Sequence, residues 1–214
     1  AARSDTAVTG DVVLVADTGA IVTLENGFEY LSPGNVTSVE PSSGQEGTVI
    51  VIEGNNFFYG NAGVVAKVTL GSVEANITAA TATQVDIIAH SSKKEVTVDI
   101  VITSDTGVTV TAADAFNYSV DGSVDALEPS QGVGGDTVTI YGNDLRGQGA
   151  HVVSVSLSGV EATIKRETNF LVQLTVADGT NGTAGDVVLT ADTGAVITEV
   201  AGWTYKEPAN VTDI

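Results

Sequence analysis

The stretch GDVVLVADTGAIV at residues 10–22 returns as GDVVLTADTGAVI at residues 185–197, and a diverged copy, VDIVITSDTGVTV, lies at 98–110. The first two copies differ only by a Val to Thr change and by an exchange of Ile and Val. Their aspartates are spaced by 88 and 87 residues: Asp17, Asp105 and Asp192. A period of this length indicates tandem units of about 87 residues each.

A second matching segment sets the frame of the repeats. EPSSGQEGTVIVIEGNN, which begins at Glu40, matches EPSQGVGGDTVTIYGND, which begins at Glu128, at a constant offset of 88. The predicted divisions are 1–34, the C-terminal strands of a preceding partial repeat; 35–121 and 122–208, two complete repeats; and 209–214, the first strand of a following repeat. The chain is therefore expected to be part of a longer array.

The pattern inside each repeat predicts an all-β fold. Short runs of alternating apolar and polar residues are separated by Gly, Asn and Asp every 8 to 12 residues or so, which is typical of a β-sandwich. Ile50 and Ile52 are expected to face the core. The shared Asp-Thr-Gly is expected to form a hairpin turn, because its glycine can adopt a positive φ. The fold class is accordingly tandem immunoglobulin-like sandwiches.

The repeats resemble IPT/TIG domains, an immunoglobulin-like family found in plexins, Rel-type transcription factors, some carbohydrate-active enzymes and many cell-surface proteins. The first copy carries the resemblance at Val36, Val39, Pro41, Gly44, Ile52, Gly54, Asn55 and Phe57. The second carries it at Val124, Leu127, Pro129, Gly132, Ile140, Gly142, Asn143 and Leu145, where Leu127 and Leu145 depart mildly from the pattern. The resemblance implies an architecture and no catalytic residues.

The charge of the chain restricts its partners. With 27 acidic and 8 basic residues, the formal net charge is −19, so the surface repels phosphate backbones and anionic membranes. Nucleic acid is therefore not expected as a partner. No apolar run reaches the roughly 18 residues that span a bilayer, so this segment is not expected to be membrane-embedded.

The motifs of common enzymes are absent, and we predict that the chain is not an enzyme. His90 and His151 occupy non-equivalent positions in the repeats and are interpreted as surface residues. No cofactor is expected, with Ca²⁺ as the one ion that the acidic composition favours. The candidate calcium ligands are the carboxylates at the junction of the repeats: Asp121, Asp125, Glu128 and Asp144. Solvated acidic surface is the simpler interpretation.

Two recurring features have both a structural and a functional interpretation. The Asp of each Asp-Thr-Gly could bind a metal, but it is more simply explained if it accepts a hydrogen bond from the backbone two residues on. Paired aromatic residues end each repeat, namely Phe28 with Tyr30, Phe116 with Tyr118, and Trp203 with Tyr205. These pairs are expected to be core residues, with a carbohydrate-stacking platform as the alternative.

Five asparagines stand in N-x-S/T sequons, which predicts glycosylation along a eukaryotic secretory route. They are Asn35, Asn76, Asn117, Asn181 and Asn210.

The predicted function is a structural or adhesive segment of a long extracellular filament, stalk or cell-surface adhesin. The expected partners are other copies of the chain, other cell-surface or matrix proteins, and glycans. The candidate contact surface comprises Phe57, Phe58, Tyr59, Val101 and Val188. A receptor-type module that binds protein or glycan, and an accessory domain of a carbohydrate-active enzyme, are the alternatives.

Overall fold

A computed structural model describes residues 8–58, 63–182 and 184–207. These residues form β-strands and turns, with no helix among them. The strands are β1 Val8–Val15, β2 Ile21–Tyr30, β3 Asn35–Glu40, β4 Ser43–Gly44, β5 Val49–Asn55, β6 Val65–Leu70, β7 Val73–Ala80, β8 Gln84–Ile88, β9 Val96–Ser104, β10 Thr109–Tyr118, β11 Ser123–Glu128, β12 Gln131–Gly132, β13 Thr137–Asn143, β14 Val152–Leu157, β15 Val160–Glu161, β16 Thr163–Glu167, β17 Leu171–Thr175, β18 Ala184–Ala191 and β19 Val196–Tyr205. The all-β class is confirmed.

Each complete repeat is a sandwich of two antiparallel layers to which one short parallel strand is added. In the second repeat the layers are β11-β13-β17-β16 and β12-β19-β18-β14-β15. In the first repeat the same order is β3-β5-β8-β7 followed by β6-β9-β10-β4, and β7 pairs with both β8 and β6. The first repeat therefore forms one continuous eight-stranded sheet that folds over its own core.

The core of each repeat is made by the inward side of alternating strands. Ile50 and Ile52 on β5 are fully buried, as are Val138 and Ile140 on β13, while the residues between them are partly exposed. Burying a side chain of this size contributes about 1.5–3 kcal/mol. The predicted inward face of β5 is confirmed.

The Asp-Thr-Gly turns have the predicted glycine geometry but a different role for the aspartate. Gly107 and Gly194 have φ of 82° and 84°, and Gly107 N donates to Ser104 O at 3.0 Å. The Asp105 carboxylate instead accepts from Val64 N at 3.4 Å, and that of Asp192 from Ala150 N at 3.1 Å. The predicted bond within the turn is wrong, because the turn amide is already bound to a backbone carbonyl and the carboxylate points to the neighbouring loop.

A second recurring aspartate holds a bulge in the same hairpin. The carboxylate Oδ1 atoms of Asp11, Asp99 and Asp186 accept from the backbone N–H 15 residues later at 2.8 Å in all three copies. The donors have positive φ angles of 49° to 53°: Asn26, Asp114 and Ala201. All three bonds are exposed to solvent, so each stabilises the bulge by roughly the 0.5–1.5 kcal/mol of an ordinary hydrogen bond.

The hairpin of β1 and β2 forms a separate two-stranded sheet. Leu14 and Phe28 occupy positions that face the core in the complete repeats, but here they are 65% and 54% exposed. The equivalent Leu189 and Trp203 of the second repeat are fully buried. The assignment of residues 1–34 to a preceding repeat stays a prediction.

Candidate functional site at the junction of the repeats

The two complete repeats contact each other through backbone hydrogen bonds. The loop before β5 in the first repeat lies against the β18–β19 turn of the second. Val49 N donates to Thr193 O at 2.9 Å, and Val196 N donates to Glu46 O at 2.9 Å. The two repeats are thus joined by contacts other than the covalent linker, which comprises residues 119–122 between β10 and β11.

Glycines make this close approach possible. Gly47 and Gly194 both have φ of +84°, a conformation that residues with a Cβ rarely adopt. A Cβ on Gly47 would lie 2.7 Å from Gly194 O, and a Cβ on Gly194 would lie 2.7 Å from a Val49 methyl group. Larger residues at either position would push the two repeats apart.

Gln45 is the buried polar side chain at the junction. It is 0% exposed, and its Oε1 accepts from the linker amide Gly122 N at 2.9 Å. Its own N–H donates to the buried Thr48 hydroxyl at 3.0 Å, which fixes the loop. Gly147 lies beside it, so that a Cβ there would be 3.4 Å from Gln45 Nε2. The second repeat carries Val133 at the position of Gln45, so it has no side-chain amide at this point of its own loop.

The linker contacts both repeats. A Cβ on Gly122 would lie 2.5 Å from Asp144 O and 2.8 Å from the Ile197 side chain. The Asp121 carboxylate accepts from Ser91 Oγ and, at 3.5 Å, from Glu46 N. Asp121 and Gly122 therefore have contacts that a freely moving tether would lack.

A groove of about 440 Å³ runs beside the linker. It is lined by residues of both repeats, among them Ser43, Glu95, Asn117, Asp121, Asn143 and Gln148. The groove is open, and its walls carry amides, hydroxyls and carboxylates.

The profile of the IPT/TIG domain family matches residues 35–120 and 123–204. The chain belongs to the IPT/TIG domain family. The family resemblance drawn from the turn and core motifs is confirmed, as are two copies in tandem. No curated protein sequence matches the chain.

Among solved structures, the plexin A4 full extracellular region is similar over 91% of this chain, at 18% identity and a TM-score of 0.51. The chain spans only 18% of that plexin chain. The surface glycan-binding protein SGBP-B of Bacteroides uniformis matches over 80% of this chain and 49% of its own, at 17% identity and a TM-score of 0.34. At these identities the plexin likeness concerns the fold alone. Within the described residues no helix is long and apolar enough to cross a bilayer.

The IPT/TIG repeats do not bring the four candidate calcium ligands to one site: Asp121 and Asp144 line the groove beside the linker, and Asp125 and Glu128 do not. Asp125 accepts from Asn143 Nδ2 at 2.9 Å, while Asp144 accepts from Gln148 Nε2 at 2.7 Å. Asp121 faces Ser91, and Glu128 is an exposed residue at the end of β11. No cluster of three or more acidic or histidine residues in the described part of the chain could hold a metal ion. Calcium binding stays a prediction without an assembled site.

The sequons occupy different environments. Asn35, Asn76 and Asn181 are exposed. Asn117 is half-buried in the wall of the groove, where its Oδ1 accepts from Thr97 Oγ1 at 3.2 Å. Asn210 lies outside the described residues. Glycosylation stays a prediction.

The prediction that Phe57 belongs to an exposed contact surface is wrong. Phe57 is fully buried, because its ring fills the space that Gly54 leaves, with a Cβ there only 2.6 Å from the ring. Phe58 packs against the same core, and Tyr59 lies outside the described residues. Val101 and Val188 are half-buried in the middle of the outer sheet face. Their cross-strand neighbours are Thr69, Thr111, Ser156 and Thr198.

The paired aromatic residues of the two complete IPT/TIG repeats are core. Phe116 and Tyr118 meet edge-to-face at 5.1 Å, and Trp203 and Tyr205 at 5.8 Å, and all four are buried. The stacking-platform alternative is therefore wrong for these two pairs. Burial, together with the nearby Asp121, raises the pKa of the Tyr118 phenol to about 12.

One ion-pair cluster beside the junction was not predicted from the sequence. Arg146 Nε donates to Glu167 at 2.6 Å, and His151 Nδ1 lies 3.1 Å from the same carboxylate. The hydrogen bond from Arg146 lowers the pKa of Glu167, and it raises the pKa of Arg146 in turn. The first repeat has Phe58 and Ala80 at the positions of Arg146 and Glu167. The appearance of two opposite charges in only one of the two aligned copies is the sequence signal that could have pointed to the pair.

Proposed function

We propose that the tandem IPT/TIG repeats act as a stiff, non-catalytic spacer in an extracellular or cell-surface protein, where they hold other parts of that protein at a fixed distance and orientation. The observation that carries this proposal is the junction, with two backbone hydrogen bonds between the repeats and the buried Gln45 on the linker amide. Neighbouring domains move relative to each other by default unless their interface is large and hydrophobic. In this proposal the junction is held instead by its hydrogen bonds and its close glycine contacts.

The titratable groups support a non-catalytic role. Among the residues that the structure describes, the groups with shifted pKa values are Tyr118, Tyr205, Arg146 and Glu167. Burial accounts for the two tyrosines, and the mutual ion pair accounts for the other two. Active sites instead gather such groups around a cleft.

The extracellular setting is the second part of the proposal. The plexin region that shares the fold is itself extracellular, and exposed sequons suit a secreted chain. The receptor-type alternative counted Phe57 as an exposed aromatic residue of the contact surface, and Phe57 is fully buried, so this residue does not support a binding patch.

The stiffness can be measured by pulsed electron spin resonance, because the chain has no cysteine of its own. Spin labels at Ser72→Cys and Thr180→Cys place one exposed probe on each repeat. A stiff junction gives a single distance distribution a few Å wide. A flexible four-residue linker would spread the distances over about 11 Å, and that result would refute the proposed spacer.

A further inference from the structure

An apolar row crosses the solvent face of the β11-β13-β17-β16 layer in the second repeat. Ala126 on β11 pairs with Tyr141 on β13, which pairs with Leu171 on β17. Tyr141 is 39% exposed, and Phe170, which precedes β17, is 63% exposed. Gly142 N donates to Phe170 O at 3.1 Å, which keeps this residue beside β13.

The first repeat is polar at the same positions. Its row is Ser38, Glu53 and Gln84, in the same register on β3, β5 and β8. Ser38 Oγ donates to Glu53 at 3.0 Å, and Gln84 Nε2 donates to Asp86 at 2.7 Å. The equivalent of Phe170 is Thr83. The same sandwich therefore forms without the aromatic residues, so folding does not explain them.

Polar groups adjoin the apolar row at one end. Asn143, two residues after Tyr141 on the same face of β13, donates to the Asp125 carboxylate at 2.9 Å. Ser123 Oγ lies 3.4 Å from the other oxygen of that carboxylate. All three side chains are exposed, and their remaining lone pairs and protons can bind hydroxyl groups.

We propose that this face, centred on Tyr141 and Phe170 with Asp125 and Asn143 at its edge, binds the pyranose rings of a neutral oligosaccharide. The C–H face of a pyranose packs on an aromatic ring, whose π-cloud is negative, while its hydroxyls need a carboxylate and an amide beside the ring. The net charge of −19 disfavours an acidic glycan.

The size of the patch favours a sugar over a protein. The exposed surface of Tyr141 and Phe170 together amounts to about 200 Å², whereas a stable protein interface buries about 800 Å² on each partner. A single pyranose of about 12 non-hydrogen atoms, at the efficiency of drug-sized ligands, binds with a Kd of the order of 1 mM. Weak binding of this kind becomes useful when it is repeated along an array.

The test is a titration of the ¹⁵N-labelled chain with cellohexaose, xylohexaose, mannohexaose and chitohexaose, each to about ten times the Kd expected above. We expect at least one oligosaccharide to shift the amide signals of Tyr141, Asn143 and Leu171. The doubly substituted chain Tyr141→Glu, Phe170→Thr carries the residues of the first repeat and is expected to lose at least ten-fold in affinity. Val153→Thr, an exposed valine on the other layer at 57% exposure, is the matched control and is expected to bind normally.

Absence of shifts with all four sugars, or shifts that survive in the double variant, would overturn the assignment. Shifts at the patch that depend on protein concentration without sugar would also overturn it, because they would indicate a second copy of the chain as the occupant. The spin-label distances test the spacer separately, because the three hydrogen bonds that hold the junction, Val49–Thr193, Val196–Glu46 and Gly122–Gln45, involve neither Tyr141 nor Phe170. Either proposal can therefore fail alone.

Discussion

Replacing Gly47 by alanine is expected to open the junction between the repeats without unfolding either one. The new Cβ would lie 2.7 Å from Gly194 O and 2.9 Å from the Val196 side chain, so the two loops must separate. The two backbone hydrogen bonds between the repeats are then lost, at about 0.5–1.5 kcal/mol each. The positive φ of Gly47 adds about 1–2 kcal/mol of strain that has nothing to do with the junction.

The chain offers a matched control for that strain. Gly135 is the equivalent residue of the second repeat, with φ of +91° and no atom within 4 Å of the position that a Cβ would take. Gly135→Ala therefore carries the strain without the collision. The difference between the two variants isolates the junction, at about 1–3 kcal/mol for two hydrogen bonds.

Hydrogen exchange of the two bridging amides is the direct assay. Gly47→Ala is expected to lower the protection of Val49 N–H and Val196 N–H roughly 5- to 150-fold, which corresponds to that loss of free energy. Gly135→Ala is expected to leave both amides protected. If Gly47→Ala also leaves them protected, the bonds across the junction do not hold the repeats together, and the reasoning is wrong.

Three further predictions concern single residues. Asp186→Ala removes the acceptor of the bulge N–H of Ala201 and is expected to destabilise the second repeat by about 0.5–1.5 kcal/mol in urea unfolding; an unchanged midpoint would contradict this role. The lowered pKa of Glu167 means that its pairing with Arg146 stabilises the fold above the ordinary carboxyl pKa near 4.3 and that this stabilisation disappears as the pH falls further. The stability difference between the chain and Arg146→Met should therefore shrink between pH 6 and pH 3, and a constant difference would exclude the ion pair as its cause. The Tyr118 pKa of about 12 means that burial of the neutral phenol contributes stability fully below pH 10, and that this contribution is lost as the pH rises through 12. Tyr118→Phe should behave like the parent chain at pH 7 but lose less stability between pH 10 and 12, measured by urea unfolding at each pH.

The sequence predicted the parts of the fold that recur in every copy. The inward position of Ile50 and Ile52 follows from alternation, and the turn at Gly107 follows from its conformational freedom, so both could be read from local pattern. The role of Asp105 could not, because its hydrogen-bond partner Val64 is 41 residues away and no pattern along the chain relates the two.

The candidate site was harder to predict than the fold. Gln45 binds the linker 77 residues later, and Val49 pairs with Thr193 in the other repeat. Contacts of this kind depend on how two finished sandwiches meet, which strand periodicity does not specify. Phe57 was wrongly predicted to be exposed for a related reason. An aromatic residue next to a loop can lie on the surface or in the core, and only the folded structure shows that its ring fills the space left by Gly54.

Comparison of the two repeats distinguishes residues that every sandwich needs for its fold from residues that are particular to one repeat. The bulge carboxylates Asp99 and Asp186 make the same hydrogen bond at the same distance, so they belong to the sandwich itself. Gln45 and Tyr141 have no such counterpart, because Val133 and Glu53 occupy the matching positions. A valine cannot accept a hydrogen bond from a linker amide, so a junction built on the second repeat's loop would lack the side-chain contact that fixes the first. In an array of such repeats, a junction with valine at this position would therefore be looser than one with glutamine.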